Sequence, residues 1–498
     1  MKNSSWYAAV VVSLLVFPLA ASSTGDNKHN PTWWAKYQYL AKHGAASGGV
    51  SGGSVNVGAN VDVSNECGPQ SETYIALNSA QPRTLAGGAN EIFRLPMRGY
   101  FSSDGGASWG GVDLPLPPPL QGTNDTRFGS DPSLAFDTTG NLFYSYIVVF
   151  FGNGSGVDGT EMAVARSPNG GQTYPQTTFF SFETGGSLFN DKPMITTDTN
   201  LSSPFRDAVY VAWDAAAGGT TAGGIRVGHS TDHGKTFIVT RADTPSGPGE
   251  SIGAVPFVGS GGELYVAWND LHNNVIAFNR SFDGGNTWDQ QRTIAPKTLA
   301  FDIGIPAEFS RHALVYPACD ADRSSGPRRG RLYCSWMDLT PAGTTDIFLS
   351  FSDDRGASWS TSKPVADQLR ILVDRFNQWL AVDSVTGDVN LSFYDTRNDT
   401  TGQRFQTDVF FTQSADGGLK FRSPNVRVTD VSSNEHDCSG LFPCPGIDYG
   451  NQQGDYEGLA SLGGVSHPIW TDSRRQLESA SGCSTNLFME EVFSATVK

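Results

Sequence analysis

The chain has 498 residues, with 57 Gly and 27 Pro and only 17% charged residues, so turns rather than long helices punctuate it. Its formal net charge of −16 argues against nucleic acid or an anionic membrane surface as a partner.

Residues 1–22 read as a signal peptide: Lys2 is the basic start, Trp6 to Ala21 the apolar stretch, and Ala20-Ala21-Ser22 a small-residue cleavage site. The alternative is an uncleaved anchor. No later run is long and apolar enough to span a bilayer. The mature protein is therefore expected to be secreted, soluble and monomeric. Residues 23–54 form an N-terminal extension. Within it Pro31 to His43 is expected to be a short helix, with Trp33, Trp34, Tyr37 and Leu40 on one side. That face docks on the body of the protein or offers a platform for a sugar ring. Gly44 to Ser54 is a Gly/Ser linker.

Six cysteines suit an exported chain. The favoured pairings are Cys319–Cys334, on two runs that read as a hairpin, Cys438–Cys444 by proximity, and Cys67–Cys483 as a tie between the chain ends. There is no CxxC and the few His do not cluster with the Cys, so a Cys/His metal site has little support. Outside residues 1–22, six N-x-Ser/Thr sequons, at Asn124, Asn153, Asn200, Asn279, Asn390 and Asn398, are near chance for a chain rich in Ser and Thr.

One eight-residue pattern recurs from residue 102 onward. It is Ser281-Phe-Asp283-Gly-Gly-Asn-Thr-Trp288, and again Ser102 to Trp109, Ser167 to Tyr174, Ser230 to Phe237, Ser352 to Trp359 and Ser414 to Phe421. Each copy reads Ser-x-Asp/Asn-x-Gly-x-x-aromatic. The Asp or Asn accepts hydrogen bonds from the turn backbone, Gly tolerates positive φ, and the aromatic residue anchors the returning strand. This pattern resembles the Asp-box, or BNR repeat, of the sialidase superfamily. The resemblance covers most of the chain and implies a β-propeller. It also implies that the boxes lie on the face away from the ligand site, as fold devices.

Residues 55–498 divide into seven units, starting near Glu72, Asp131, Asp191, Ser251, Ser310, Asp374 and Asp455. An inner apolar strand comes first, then a Gly turn and a second strand ending in an aromatic and an acid, as in Leu264 to Asp270 and Val389 to Asp395. A third strand runs into the repeated turn and a fourth leaves it. The expected fold is all-β, a propeller of seven four-stranded antiparallel blades, with six blades as the alternative. The last unit lacks an outer strand. Val55 to Val63, which alternates as a strand should, is expected to supply it beside Leu487–Phe493, closing the ring. Sialidase catalytic domains resemble six-bladed rings, and a seventh blade departs from them.

Function is then expected opposite the repeated turns, before strand 1 and after strand 2 of each unit. Those positions carry Asp131-Pro132, Asp191-Lys192-Pro193, Asp374-Arg375 and Asp455-Tyr456-Glu457, then Trp213-Asp214, Trp268-Asn-Asp270, Trp336-Met-Asp338, Asp395-Thr-Arg397 and Asp472-Ser-Arg474. Paired carboxyls roughly 5–10 Å apart are what glycoside hydrolysis needs. The blander reading is that the repeated Trp-x-Asp steps fasten loops, with Arg397 and Arg474 merely paired to Asp395 and Asp472. The resemblance implies three Arg on a substrate carboxylate, a Tyr nucleophile paired with Glu, and an Asp acid/base. Arg311, Arg375, Arg397 and Arg474 are available for the triad, with Asp472 beside them, and Tyr456 with Glu457 for the pair. Adjacent residues on a strand face opposite ways, however, so Tyr456 and Glu457 do not readily act together. Phe93-Arg94-Leu95-Pro96 resembles the run around the first sialidase Arg but enters a third strand, not an inner one. The expected protein is a secreted, sialidase-like glycoside hydrolase acting on glycans. The alternative is a non-catalytic propeller that binds a glycan, a protein or Ca²⁺. No cofactor is implied; a cation held at the acidic mouth would be bound by oxygens, which favours Ca²⁺.

Overall fold

The computed structural model describes residues 60–64, 68–152, 156–185, 190–215, 223–244, 250–367, 372–436, 441–442, 452–476 and 488–498, with the backbone alone at 441–442, 475–476 and 488–489. The expected signal peptide, the expected helix and linker of the extension, and the expected pairings Cys67–Cys483 and Cys438–Cys444 lie outside the described residues.

Seven antiparallel sheets follow one another in a ring. Blades 1 to 4 have inner strands at Gln70–Leu77, Thr126–Phe136, Asn190–Thr197 and Ser251–Val258, and outer strands at Gly110–Asp113, Gln176–Thr184, Ile238–Arg241 and Arg292–Pro296. Blades 5 and 6 run from Ala318–Ala321 out to Lys363–Pro364 and from Arg375–Val382 out to Val426–Arg427. Blade 7 is built from both ends of the described chain: Gly458–Leu462, Val465–Gln476 and Phe488–Ala495 are completed by Asn60–Asp62. Asn60 lies opposite Ala495 and Asp62 opposite Phe493, the closure the alternation of Val55 to Val63 leads one to expect. Cys319 and Cys334 face each other on the first two strands of blade 5 and form a disulfide.

The second strands carry the largest buried side chains, Trp213, Trp268, Trp336 and Trp470. In three cases the Asp two residues on ties down a loop. Asp270 accepts from Asn273 N (2.9 Å), Asp338 from Thr298 N (2.8 Å), and Asp472 from Arg474 N (2.9 Å). All six repeated turns share one geometry: the Ser hydroxyl donates to the Asp or Asn at 2.8 Å. In each, the same Ser oxygen accepts from the Gly two residues further on.

Two features position the site. The inner strands of blades 1, 2, 3, 4 and 6 each bulge near their start, between Ser71 and Tyr74, Ser130 and Ser133, Asp191 and Met194, Ile252 and Val255, and Phe376 and Trp379. Each bulge holds one residue at left-handed φ: Glu72 (54°), Asp131 (60°), Lys192 (51°), Gly253 (71°) and Asn377 (45°). Four of these five carry a Cβ, a conformation that costs free energy and tends to be kept at functional positions. Gly253 has a second reason: a Cβ there would stand 2.1 Å from the Tyr316 ring. The other feature is an insertion. The fifth blade begins at Ala318, not near Ser310, because residues 297–317 form a separate excursion with a short hairpin, Asp302–Ile303 against Ala313–Leu314.

Candidate functional site at the axis

Charges from four parts of the ring meet at the start of the inner strands. Lys192 Nζ, on blade 3, lies 2.9 Å from Glu72 Oε1 on blade 1 and 3.9 Å from Asp131 Oδ1 on blade 2, and it pairs with Asp455 at the entry to blade 7. Arg311, from the insertion, pairs with Asp455 and faces Glu72 at 3.9 Å. Blade 3 is not a neighbour of blade 1 or blade 7, so these contacts cross the central channel. Strands alternate in direction, so this end of the inner strand is opposite the repeated turns, which join strands 3 and 4. Asn90 bridges two of the carboxyls, its Nδ2 donating to Glu72 Oε2 (2.8 Å) and Asp131 Oδ1 (3.4 Å). Asp131 also accepts from Ser130 Oγ at 2.9 Å.

These neighbours set the carboxyls apart chemically. Burial acts to raise Asp131, but the Lys192 ammonium and hydrogen bonds from Asp191, Glu72 and Ser130 hold it below its ordinary value. Asp455 is likewise held down, against burial, by Arg311 and Lys192. Burial pushes Glu72 well up, with Asp455 and Asp131 adding to it against the pull of Lys192 and Arg311. Burial raises Asp191 and Asp214 as well. The surroundings thus bias Asp131 and Asp455 toward the ionised form and Glu72, Asp191 and Asp214 toward the neutral one, while the carboxyls around Lys192 and Arg311 favour their charged forms.

Tyr456 stands over this cluster. Its hydroxyl donates to Pro132 O (3.1 Å), and Lys192 Nζ is 5.5 Å from its ring centre. Burial pushes its hydroxyl well up, and the Glu72 and Asp131 carboxyls add to the rise. Glu457 belongs elsewhere. It is buried toward Ser392 and Tyr394, so the carboxyl beside Tyr456 comes from Glu72, as strand alternation requires.

The cluster is enclosed. Below it the channel is filled by Tyr74 and Trp379, whose rings meet edge-on at 5.2 Å, and by Met194 and Val255; about 10 Å³ remains beside Lys192 and Tyr316. Above it the insertion crosses from blades 4 and 5 to the link before blade 7. Gln452 Oε1 accepts from Ser310 N (2.8 Å) and Arg311 N (3.0 Å), and His436 Nε2 donates to Pro306 O (2.6 Å) while stacked on Phe405. Glu308 of the insertion is buried among Glu435 and Glu490, and burial raises all three. A larger hollow of about 620 Å³ lies between Pro296, Trp336, Asp338 and Phe348, but Asp338 is its single ionisable lining residue.

The residues expected at one mouth thus divide. Asp131, Asp191, Asp455, Tyr456 and Arg311 gather at the axis. Arg375 and Arg397 form a separate network between blades 5 and 6. Arg375 meets Asp395 (2.8 Å) and Asp346 (3.2 Å), and Arg397 meets Asp367 (3.0 Å) and Asp395 (2.5 Å). Asp374 accepts from Thr345 N and pairs with Arg404 at 2.9 Å. Arg474 pairs with Asp472 (2.6 Å) and with Asp430, and its Nη2 reaches Asn60 Oδ1 at the ring closure. Arg94 is tied to Asp113 on blade 1. Glu72 and Tyr316 were not among the expected residues, and Lys192 and Asp214, which stand at the expected positions before strand 1 and after strand 2, were not singled out there. One signal was present: Lys192-Pro193 and Asp131-Pro132 are the same step of two units, so Lys192, not Asp191, is the counterpart of Asp131. Among the described residues no group of three or more His, Cys, Asp or Glu side chains is placed to hold a metal ion.

No family model and no curated protein matches the chain. Among solved structures it is similar to the Hadza microbial sialidase Hz136, with a TM-score of 0.43 at 16% identity, over 65% of this chain and 63% of that one. It is also similar to a leech intramolecular trans-sialidase (TM-score 0.47, 13% identity, 77% of this chain and 72% of that one). A third is the GH93 α-L-arabinofuranosidase of Fusarium graminearum (TM-score 0.42, 13% identity, 68% of this chain and 92% of that one). Similarities of this size assign neither a family nor an activity.

Proposed function

We propose that the protein is an exported glycoside hydrolase on a sialidase-like propeller, acting on the end of a glycan with the groups gathered at the axis. One observation carries this reading: the Glu72 and Asp131 carboxyls, both on left-handed backbone, share the Asn90 amide beside Lys192, and burial pushes Glu72 well up whereas at Asp131 the Lys192 ammonium and hydrogen bonds outweigh burial. Glycoside hydrolysis uses one carboxyl as proton donor and one as carboxylate, and environments that push two such groups apart assign the roles. Glu72 is the proton donor to the leaving oxygen. Asp131 is the carboxylate, kept ionised by Lys192. Asp455 and Arg311 position that pair from the far side of the channel. The Cys319–Cys334 disulfide supports export to an oxidising compartment.

A second reading rests on the enclosure. Glu72, Asp131, Lys192 and Asp455 are almost wholly shielded from solvent, which favours a non-catalytic propeller whose charges tie opposite blades together.

The two readings separate on a panel of chromogenic glycosides, sialosides included. Hydrolysis that Glu72→Gln and Asp131→Asn abolish at an unchanged melting temperature is the expected result. A folded protein that hydrolyses none of them, or one whose two variants lose only stability, removes the catalytic reading.

A further inference from the structure

We infer that residues 305–312, the tip of the insertion, form a lid over the axis that opens as the pH rises, released by a seam of three carboxyls between the tip and blade 7. The root of the insertion is fixed to blades 4, 5 and 6. Lys297 Nζ donates to Asn274 Oδ1 (2.6 Å), Asp338 accepts from Thr298 N (2.8 Å), and Gln378 Nε2 donates to Tyr316 O (2.9 Å). The tip rests instead on the link between blades 6 and 7. Gln452 accepts from Ser310 N and Arg311 N and donates to Ala307 O (2.9 Å), and the Phe309 ring lies 4.0 Å from that of His436. A hinge at the root would therefore free the tip without disturbing a blade.

The seam joins three separate parts of the chain: Glu308 of the tip, Glu435 of the link and Glu490 on the third strand of blade 7, each at most 1% exposed. None of their six oxygens completes a hydrogen bond with a described residue; Gln453 N approaches Glu308 and Ser473 approaches Glu435 without doing so. Arg311 draws on Glu308 but is paired with Asp455, and among the described residues no cation acts on Glu435 or Glu490. The other titratable groups facing the seam are Asp455, Asp472 and the Tyr394 hydroxyl, and none of them brings positive charge. Such a seam holds while its carboxyls are neutral. Burial lifts Glu435 to about 7 and raises Glu308 and Glu490 well above their ordinary value. Loss of one proton is tolerable, because a neutral neighbour can donate to the carboxylate that forms. Loss of a second sets two buried carboxylates together with no cation between them, and moving Glu308 out to water relieves that cost. The closed form is the one that binds the protons, so it is favoured at acidic pH and lost as the pH climbs past about 7. Movement of the tip carries Arg311 away from Asp455 and Glu72 and uncovers the axis, whatever chemistry the axis performs.

The experiment is hydrogen–deuterium exchange of the full chain between about pH 6 and pH 9, each rate divided by the intrinsic rate at that pH. The Ser310 and Arg311 amides, held by Gln452, should lose protection by about 10-fold or more across that range while the blade strands keep theirs. Glu308→Gln and Glu435→Gln remove an ionisable group from the seam and should keep the tip protected at the alkaline end, with melting curves as the control for folding. Tip protection that is indifferent to pH, or that falls only together with the blade strands, overturns the inference, and the wild-type profile decides this by itself if a variant does not fold. Equal opening of the wild type and the folded variants overturns it as well. So does protection restored by adding Ca²⁺ at the alkaline end, which would mean that the seam holds a cation and not protons.

Discussion

Lys192 Nζ and Glu72 Oε1 lie 2.9 Å apart, although their blades are separated in the ring by the whole of blade 2. The contact spans 120 residues of sequence and sits out of solvent. Replacing Lys192 by Met leaves Asp131 and Asp455 as buried charges without it. Chemical denaturation should show a loss of about 3–5 kcal/mol, the cost of removing one partner of a buried pair. Adding Asp455→Asn to Lys192→Met should recover part of that loss, and an additive double variant would mean that the contact does not hold the blades together.

Glu72 and Glu457 are both buried Glu residues near Tyr456, yet only Glu72 faces it. Glu72→Gln is expected to lower kcat on the best glycoside by about 100-fold or more, the usual contribution of a general acid. Glu457→Gln should leave kcat within a few-fold. Steady-state kinetics on both variants, with melting curves as a control for folding, decides between the two carboxyls.

Stability should peak at mildly acidic pH. Burial lifts Glu435 from an ordinary 4.5 to about 7, with Asp472 adding to the rise and Ser473 and Glu490 opposing it. Its neutral form is the one the fold accepts, so its contribution is complete below the unfolded value and is lost as pH rises through about 7. The repeated turns act at the other end. Burial would raise Asp232 and Asp354, but hydrogen bonds from Thr236 and Ser230, and from Ser358 and Ser352, hold both at about 2. Their contribution is complete above the ordinary 3.8 and is lost as pH falls through about 2. Melting temperatures between about pH 2 and pH 9 should show this dome, and Glu435→Gln should soften its alkaline side. A melting temperature indifferent to pH from 4.5 to 7 would contradict the buried carboxyl.

Asp283 receives Ser281 Oγ (2.8 Å), Thr287 N (2.8 Å) and Thr287 Oγ1 (2.6 Å). Asp283→Ala should therefore cost about 1 kcal/mol or more of stability while leaving turnover intact, since this turn lies at the end of the blade away from the axis cluster. Lost turnover at an unchanged melting temperature would put the turn at the working face.

Cys319 and Cys334 close a loop over a sequence separation of 15. Cys319→Ala/Cys334→Ala should lower stability by about 3 kcal/mol, the chain-entropy value for a loop of that size. Denaturation with and without the pair measures it, and a change well under 1 kcal/mol would mean that the pairing of the first two strands of blade 5 already carries the constraint.

The local repeats were enough for the fold. Strand, Gly turn, strand and Ser-x-Asp/Asn-x-Gly turn recur within each unit, and each is decided by residues close in sequence. So the seven blades, the strand at Asn60–Asp62 and the Cys319–Cys334 pair are all legible in the sequence. The composition of the axis was not. Asp131, Asp191 and Asp455 were in view, but the left-handed residue in the inner strands of blades 1 and 3 breaks the two-residue alternation, so Glu72 and Lys192, not Asp191, carry the central contacts. Arg375, Arg397 and Arg474 had the right chemistry for a mouth, yet each is drawn to an Asp on its own or the next blade. Arg311 reaches Asp455 across 144 residues because an insertion folds back over the channel. A bulge and a crossing of the ring bring together residues far apart in the chain, and no periodicity in the sequence encodes either one.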